Sequence, residues 1–358
     1  MYSTTAFPGL GLVNTTLDTP RRPDINGRKI GVLLSNLGTP DGTDYWSVRR
    51  YLAEFLSDPR VIELPRVLWL PLLHSVVLSL RPKRKGHDYR AIWNNDADES
   101  PLKTITRSQS HMLKQQLDAR SPGGVDIVVD WGMRYGNPSM EAAIQRLSEQ
   151  GCDRILMVPL YPQYSATTTA TACDKVFDVM KRMRRQPSLR VAPAYYDDPT
   201  YIAEITRSIK TRVANLDFKP EVIIASFHGI PQRNIAQGDP YYEQCQRTGD
   251  LLRGALRLSH EQFLVTYQSR FGFAKWLTPY TEATVKRLAR EGIKRIAVVA
   301  PGFPTDCIET IDEIARENAE YFLNAGGERF EFIRGLNDSE GGIRVIENVV
   351  WRELQGWV

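Results

Sequence analysis

Eight short apolar runs, each followed by a helix-like pattern, constrain the fold more than any other feature of this sequence. Such runs are typical of parallel strands in βα units, because helices cover both faces of the sheet and suppress polar alternation. The runs form two groups of four, which predicts an α/β protein with two Rossmann-like halves, each holding a four-stranded parallel sheet flanked by helices. The predicted strands are 30–36, 125–131, 154–159 and 189–194, then 222–226, 263–267, 295–299 and 329–333.

Three short motifs recur in the same order in the two groups, which indicates related halves. The pairs are 35–40 with 226–231 at an offset of 191, 131–136 with 267–272 at 136, and 151–155 with 292–296 at 141. The first pair shares the pattern S-x-x-G-x-P. Because the first offset exceeds the second by 55, the first half carries about 55 extra residues between its first and second strands.

We expect the extra residues to form an insertion at about 41–118. It contains an apolar stretch at 69–80, followed by the basic residues Arg81, Lys83, Arg84 and Lys85. Such a stretch is either a buried helix with a solvated end or an amphipathic lip, and the buried helix is favoured because most apolar runs are core. The predicted organisation is a disordered or extended tail at 1–28, a first domain at 29–198, and a second domain at 199–358 that ends in a helix.

Composition narrows the class of protein. The net charge of +4, from 46 basic and 42 acidic residues, is too small an excess to indicate nucleic-acid binding. The four cysteines contain no C-x-x-C pair, which disfavours a zinc ribbon or a disulfide framework. The first 28 residues lack a signal-peptide core, and the apolar run at 67–80 is too short to span a bilayer. These features predict a cytoplasmic protein.

Ligands of open parallel sheets bind where strands end and loops lead into helices, so residues that follow the strands are the candidates. His228 ends a strongly apolar strand, opposite a loop that carries carboxylates. A lone histidine is usually structural, but this placement favours a functional role. The other residues expected just after strands are Leu37, Met133, Arg134, Tyr135, Tyr161, Gln268, Ser269, Phe303 and Glu309.

An acidic row follows the last of these loops. Glu309, Glu313 and Glu317 have the spacing i, i+4, i+8, and share one face of a helix that should begin near Asp306. A solvated helix face would explain the row, but like charges at this spacing repel. Oxygen ligands in a row would also suit a divalent ion. No P-loop, G-x-G-x-x-G or G-x-S-x-G motif follows a predicted strand, which disfavours nucleotide binding and that type of hydrolase.

Six motifs together resemble the ferrochelatase family, whose members insert ferrous iron into a porphyrin to make haem. The motifs are N-L-G-T-P at 36–40, E-S-P-L-K at 99–103, Y-P-Q-Y-S at 161–165, S-F-H-G-I-P-Q-R at 226–233, Q-S-R-F-G at 268–272 with Trp276, and P-G-F-P-T-D-C-I-E-T at 301–310. The match runs from about Gly31 to about Leu336, and the compact form is similar to the enzymes of Gram-negative bacteria. The resemblance implies the chelatase-like fold, with the porphyrin in a cleft between the halves.

The resemblance also implies roles for individual residues. His228 would face the centre of the macrocycle, with Glu309 as the opposing carboxylate, and both are predicted to be catalytic. Metal would contact these two residues together with Glu313 and Glu317. Tyr89, Tyr161 and Phe303 are predicted substrate contacts. Leu37, Arg134, Tyr135 and Trp276 match cleft-lining positions, and Arg81, Arg84, Ser100, Gln268 and Ser269 match positions near the propionates.

The implied reaction is insertion of ferrous iron into protoporphyrin IX with release of two protons, the last step of haem biosynthesis. It needs a base near the ring centre, which suits a histidine. Iron is a substrate, and no permanently bound cofactor is expected. Animal members hold a [2Fe–2S] cluster, but here Ala166 occupies one ligand position and no cysteine follows Cys307. Peripheral contact with membrane lipid would suit the apolar stretch and its basic end.

Three other functions stay open. The substrate could be coproporphyrin, with four carboxylates in place of two. A cobalt-type chelatase would show a richer histidine set than His228 alone. A haem or metal carrier would bind porphyrin and iron without releasing metalloporphyrin.

Overall fold

Two parallel sheets form the framework of the computed structural model, which describes residues 28–120, 125–270, 272 and 274–358. Residues 1–27 of the expected tail lie outside the described residues. All eight predicted strands are present, in sheets of order β2-β1-β3-β4 and β6-β5-β7-β8. The strands are β1 (Arg28–Thr39), β2 (Val125–Gly136), β3 (Arg154–Pro159), β4 (Ser188–Val191), β5 (Val222–His228), β6 (Phe263–Gln268), β7 (Arg295–Val299) and β8 (Arg329–Ile333).

The first two strands are longer than the sequence predicts. Their parallel pairing continues as far as Gly38 with Tyr135 and Thr39 with Gly136. Glycine at position 38 is required for this, since its φ is +115° and a Cβ there would lie 1.8 Å from the carbonyl oxygen of Tyr135. The predictions that Leu37 follows β1 and that Met133, Arg134 and Tyr135 follow β2 are therefore wrong, because all four lie within these strands.

Helices cover both sheets, as the continuous apolar strands require. Three π-helical segments, Leu73–Val77, Ala166–Ala170 and Glu309–Asn318, run directly into α3, α6 and α11 within the described part of the chain. The C-terminal helix α12 packs against α7 and also against α4 and β3 of the first half. The helices are α1 (Tyr45–Leu56), α2 (Arg66–Leu72), α3 (Leu78–Ile92), α4 (Pro101–Arg120), α5 (Met140–Glu149), α6 (Thr171–Arg182), α7 (Pro199–Ala214), α8 (Gln232–Ala236), α9 (Tyr241–Leu256), α10 (Thr281–Arg290), α11 (Ala319–Asn324) and α12 (Glu340–Leu354).

The insertion between β1 and β2 consists of α1 to α4. Helix α1 begins at a capping aspartate, since Asp44 Oδ1 accepts hydrogen bonds from the amides of Trp46 and Ser47 at 2.9 and 3.1 Å. Helix α4 begins with Pro101 directly after Ser100, whose hydroxyl accepts from the Lys103 amide at 3.3 Å. Proline in the first turn is favourable, because its missing N–H would have no helical partner there.

The apolar stretch of the insertion is amphipathic, so the prediction of a buried helix is wrong in part. One face, with Trp69, Leu73 and Leu78, is buried in the core that also holds α1. The other face is exposed, and its apolar residues are Val67, Leu68, Leu72, Val76 and Leu80. We call these five residues the lip. Within the described residues, no helix is both long and apolar enough to cross a bilayer.

Candidate active site

A cavity of about 190 Å³ lies where the carboxyl ends of the two sheets face each other, and both halves line it. The insertion supplies residues from α1, α3 and the start of α4. Seven of the predicted site residues border this cavity: Leu37, Tyr89, Ser100, Tyr161, His228, Phe303 and Glu309. The structure therefore brings together the histidine, one carboxylate of the acidic row, and a largely aromatic wall.

His228 is the last residue of β5, and its backbone position fixes its protonation pattern. Its Nδ1 lies 2.6 Å from the carbonyl oxygen of Gly229, which can only accept a hydrogen bond. Nδ1 therefore carries the proton of the neutral ring, and Nε2 carries the lone pair. The ring centroid lies 6.4 Å from that of Phe303, which borders the same cavity. In this tautomer Nε2 is the nitrogen that can accept a proton or bind a metal.

The loop after His228 packs tightly on the neighbouring strand end. A Cβ at Gly229 would lie 3.0 Å from the Gln268 carbonyl oxygen, 3.1 Å from that of Ser269 and 3.3 Å from Cε3 of Trp276. The Gly229 amide donates to the Gln268 carbonyl at 2.7 Å. Trp276 therefore supports the His228 loop from the side, and it does not border the cavity.

Gln268 and Ser269, expected near the propionates, contact the acidic π-helix (Glu309–Asn318) instead. Gln268 Nε2 donates to the Glu309 carbonyl oxygen at 2.8 Å, and its Oε1 accepts from Ser226 Oγ at 2.8 Å. The Ser269 hydroxyl donates to Oε2 of Glu313. The physical reason is that β6 ends beside the start of the π-helix, so its following loop positions that helix and does not border the cavity.

The acidic row is not a solvated helix face. Its helix begins close to Asp306, as predicted, but it is π-helical from Glu309. Segments of π-helix are frequent at functional sites. Glu313 and Glu317 have side chains only 23% and 35% exposed. Burial raises the pKa of Glu313 to about 7, with a further contribution from the charge of Glu309, although Ser269 and Lys85 oppose the shift. Among the described residues, no group of three or more His, Cys, Asp or Glu residues is arranged to hold a metal ion.

Arg134 and Tyr135 do not border the cavity and belong to a buried cluster around Asp58, with the Tyr135 ring packed 5.0 Å from that of Phe55. Arg134 Nη2 lies 2.5 Å from Asp58 Oδ2, and the Tyr135 hydroxyl donates to the same oxygen at 2.8 Å. The Thr171 hydroxyl also donates to it. Burial alone would raise the pKa of Asp58. The hydrogen bonds from Thr171 and Tyr135, a further one from the Arg60 amide, and the charge of Arg134 together lower it. This cluster joins the loop after α1 to β2 and α6, so it holds the insertion against the first sheet.

Arg81 and Arg84, the basic residues expected near the propionates, do not border the cavity either. Arg81 is half-buried, and burial together with the neighbouring charge of Arg84 lowers its pKa. Arg84 is exposed and lines a separate groove that also includes Glu317. The two outer members of the row, Glu313 and Glu317, therefore lie outside the cavity, and only Glu309 borders it.

Several residues that border the cavity are not among the predicted ones. Among them are Asn36, Tyr51, Phe55, Leu102, Tyr241 and Cys307. Tyr51 and Phe55 are one turn apart on α1 with stacked rings 6.0 Å apart, and the Tyr51 hydroxyl donates to the Gly38 carbonyl at 3.2 Å. An aromatic pair at i and i+4 on the helix after β1 is a sequence signal that could have identified them.

Asn36 connects the two halves beside the cavity. Its Nδ2 donates to Thr106 Oγ1 at 3.0 Å and to Thr305 Oγ1 at 3.4 Å. Thr305 in turn donates to Gln109 Oε1 at 3.2 Å. All four side chains are buried, so this network fixes the first half relative to the loop that leads into the acidic π-helix.

The fold places the described chain in a structural class with solved chelatases. The structure resembles that of SirB from Bacillus subtilis with Fe3+, with a TM-score of 0.52 and 11% sequence identity over 92% of this chain and 97% of that one. A sirohydrochlorin chelatase SirB from Bacillus subtilis subspecies spizizenii in complex with cobalt has a TM-score of 0.50 at 9% identity, over 92% of this chain and 94% of that one. At these identities the likeness establishes the fold alone.

Sequence comparisons identify the family within that class. The Ferrochelatase family model matches residues 29–354. A ferrochelatase of Agrobacterium fabrum is 54% identical over 94% of this chain and 96% of its own length. One of Bradyrhizobium diazoefficiens is 56% identical over 92% and 95%. The chain belongs to the ferrochelatase family, lyases that insert iron into protoporphyrin in haem synthesis, as its motifs predict.

Proposed function

We propose that this chain inserts ferrous iron into protoporphyrin IX, with release of two protons, in the last step of haem biosynthesis. The observation that carries the proposal is the shared cavity of His228 and Glu309, which approach it from β5 and from the acidic π-helix. A porphyrin centre needs a base and a metal path at one point. The aromatic residues Tyr51, Phe55 and Tyr89 give the first half an apolar wall for the macrocycle.

His228 acts as the base or the first metal ligand through Nε2. Its Nδ1–H is held by the Gly229 carbonyl at 2.6 Å, so the ring is oriented with its lone pair available. Two pyrrole N–H protons must leave as the metal enters, and Glu309 can take up a proton or guide the ion. Because both side chains border one cavity, the pyrrole protons leave and the metal enters at the same place.

Iron reaches the ring centre along Glu317, Glu313 and Glu309. Glu317 lines an outer groove, Glu309 borders the cavity, and Glu313 lies between them in sequence and on the same helix face. Carboxylate oxygens suit a divalent ion, and a row of them offers transient binding steps without a permanent site. Iron is therefore a substrate in this scheme. No resident cluster is part of the proposal, because Ala166 and the absence of cysteine after Cys307 leave too few thiolates.

Porphyrin entry requires the cleft to widen. The cavity of about 190 Å³ is smaller than the roughly 300–1,000 Å³ of typical small-molecule pockets, and a tetrapyrrole is a large ligand. The insertion forms one wall of the cavity, and its exposed lip lies on α2, α3 and the segment between them. We infer that α2 and the segment between it and α3 move outward to admit the substrate, while the anchored part of α3 stays in place.

The lip makes a peripheral membrane contact from the cytoplasmic side. Val67, Leu68 and Leu80 are 81%, 69% and 70% exposed, and together they form an apolar patch. Arg84 is exposed at the end of this patch, and each basic residue adds on the order of 1 kcal/mol near anionic lipid. Protoporphyrin keeps its vinyl groups and partitions into lipid, so such a lip favours it over the more soluble coproporphyrin.

A side-by-side insertion assay tests the proposal. Purified protein is incubated anaerobically with Fe(II), or aerobically with Zn(II), and with protoporphyrin IX or coproporphyrin III. We expect metalloporphyrin release at many turnovers with protoporphyrin IX, and loss of turnover in a folded His228→Ala variant. Binding of porphyrin without released product would identify a carrier, and preference for coproporphyrin III would overturn the substrate assignment.

A further inference from the structure

A second groove lies at the outer end of the acidic row, between α3 and the acidic π-helix. Its volume is about 760 Å³, and it is lined by charged residues of both signs. The lining residues on the π-helix are Asp312, Arg316 and Glu317, and those on α3 include Lys83, Arg84, His87 and Asp88. Any ion that enters along the row from this side meets these fixed charges first.

Lys85 is the basic residue of α3 that contacts the row itself. Its Nζ lies 4.0 Å from Oε1 of Glu313 and 3.4 Å from Oδ2 of Asp88. The other carboxylate oxygen of Glu313 accepts the Ser269 hydroxyl, so the lysine faces the oxygen that this bond leaves available. The Lys85 side chain is 36% exposed and that of Glu313 23%, which leaves the pair only partly screened by water.

The position of Lys85 along α3 is fixed by its neighbours. A Cβ at Gly86 would lie 2.5 Å from the Thr43 carbonyl oxygen, so this turn of the helix packs directly on the backbone before α1. Tyr89, one turn later, is buried and borders the cavity. Lys85 is therefore held at the middle of the row by a helix that is anchored on both sides of it.

The other cation close to the row, Arg316, pairs with carboxylates other than Glu313. Arg316 lies 2.6 Å from Asp312, 3.5 Å from Glu317 and 3.8 Å from Glu320. In the described part of the chain, Lys83 has no ion pair with any carboxylate of the row, although it lines the same groove. Removing Lys85 would thus leave Glu313 without a basic partner among the described residues.

We propose that Lys85 is a positioning residue that serves as a built-in counter-cation for Glu313, which each incoming divalent ion must displace. The inference rests on the proposed function of the row as the metal route. A carboxylate with no counter-charge would hold a divalent ion more tightly than a transfer step allows. A tethered ammonium competes with the ion at this one position, so the ion is released toward Glu309. The structure thus assigns Lys85 a role in tuning metal affinity without contact with porphyrin.

The test compares Lys85→Met with Lys83→Met, which removes the same charge from an exposed position of the same helix and groove. Steady-state Zn(II) insertion into protoporphyrin IX gives the metal and porphyrin KM values separately. We expect Lys85→Met to lower the metal KM by about three- to tenfold, because the metal ion no longer has to displace the Lys85 ammonium from Glu313. The porphyrin KM should not change, and Lys83→Met should change the metal KM less than Lys85→Met does, because Lys83 has no ion pair with the row among the described residues. Lys85→Arg should restore the wild-type metal KM.

A porphyrin-free measurement separates this inference from the proposed function. Zn(II) affinity of each variant is measured by competition with a chromophoric chelator, and thermal unfolding verifies that each variant is folded. Tighter Zn(II) binding by Lys85→Met than by Lys83→Met supports the inference even if no insertion is detected. An unchanged or higher metal KM, or equal Zn(II) affinity in the two variants, overturns it. If Lys85→Met does not fold, Lys85→Gln replaces it in both measurements.

Discussion

Glu313 should make the metal-free protein less stable as the pH rises, and Glu313→Gln should abolish this dependence. Its pKa is raised from an ordinary value of 4.5 to about 7, with burial as the main cause. Below about pH 4.5 the carboxyl is protonated in folded and unfolded chains alike, so no penalty exists. Between about pH 4.5 and about pH 7 the unfolded chain releases this proton while the folded protein retains it, so stability falls progressively and the loss is complete above about pH 7.

The magnitude follows from the same values. A pKa held near 7 in place of 4.5 corresponds to about 3 kcal/mol of folding free energy at full effect. The side chain is 23% exposed, so we expect a loss of about 1–3 kcal/mol for the wild type between about pH 5 and about pH 8. The glutamine variant has no charge to bury and should lack this component.

Thermal unfolding of metal-free protein in chelator-containing buffers at about pH 5 and about pH 8 measures the effect. The difference in midpoint between Glu313→Gln and the wild type should be larger at the higher pH. Glu320→Gln is the matched control, because Glu320 lies on the following turn with a side chain 60% exposed. Equal pH dependence of the wild type and Glu313→Gln would refute the reasoning.

Further predictions concern the row, the lip, the buried cluster and the cysteines. Glu309→Gln should lower kcat strongly, while Glu317→Gln should act mainly on the metal KM, and equal negligible effects in steady-state assays would rule out a role for the row. Leu68→Ser with Leu72→Ser should weaken sedimentation with anionic liposomes and leave the unfolding midpoint unchanged, whereas a lowered midpoint would show that this face is core. Asp58→Asn should destabilise by about 3 kcal/mol in denaturant titration, because it leaves the buried charge of its arginine partner uncompensated, and wild-type stability would contradict this. The purified protein should lack visible absorption and acid-labile sulfide of a [2Fe–2S] centre, either of which would disprove the expectation.

The strands could be predicted from sequence because each is a short, largely apolar run followed by a helix-like pattern, although β1 and β2 extend beyond their predicted ends. Strands β3, β7 and β8 match the predicted bounds. His228 and Glu309 could be predicted as neighbours because they come at or after the ends of two parallel strands of the second half, whose carboxyl ends meet at one edge of the sheet. Local sequence pattern therefore sufficed for the framework and for the chemistry at its edge.

Side chains whose direction depends on packing could not be predicted in this way. Arg134 follows an apolar run and reads as a loop residue, yet Gly38 allows the β1–β2 pairing to continue and carries Arg134 toward Asp58. Nothing local to Arg134 indicates that a carboxylate 76 positions earlier will face it. The sequence could not decide between a buried helix and an amphipathic lip for a related reason, since leucines on both faces of a helix look alike until one face is packed.

The internal repeat places Leu37 and His228 at equivalent positions of the two halves, each third in the S-x-x-G-x-P motif and each bordering the cavity. In a dimer of two identical subunits related by a twofold axis, the same side chain would contact the ligand from both sides. When the two halves belong to one polypeptide, equivalent positions can carry different residues. One side of a flat, nearly symmetric ligand can then rest on a hydrocarbon group while the other meets an imidazole. The two faces of a macrocycle bound between the halves would then meet different side chains. Protons would be removed from the face that meets His228, because only one half carries a histidine at this position.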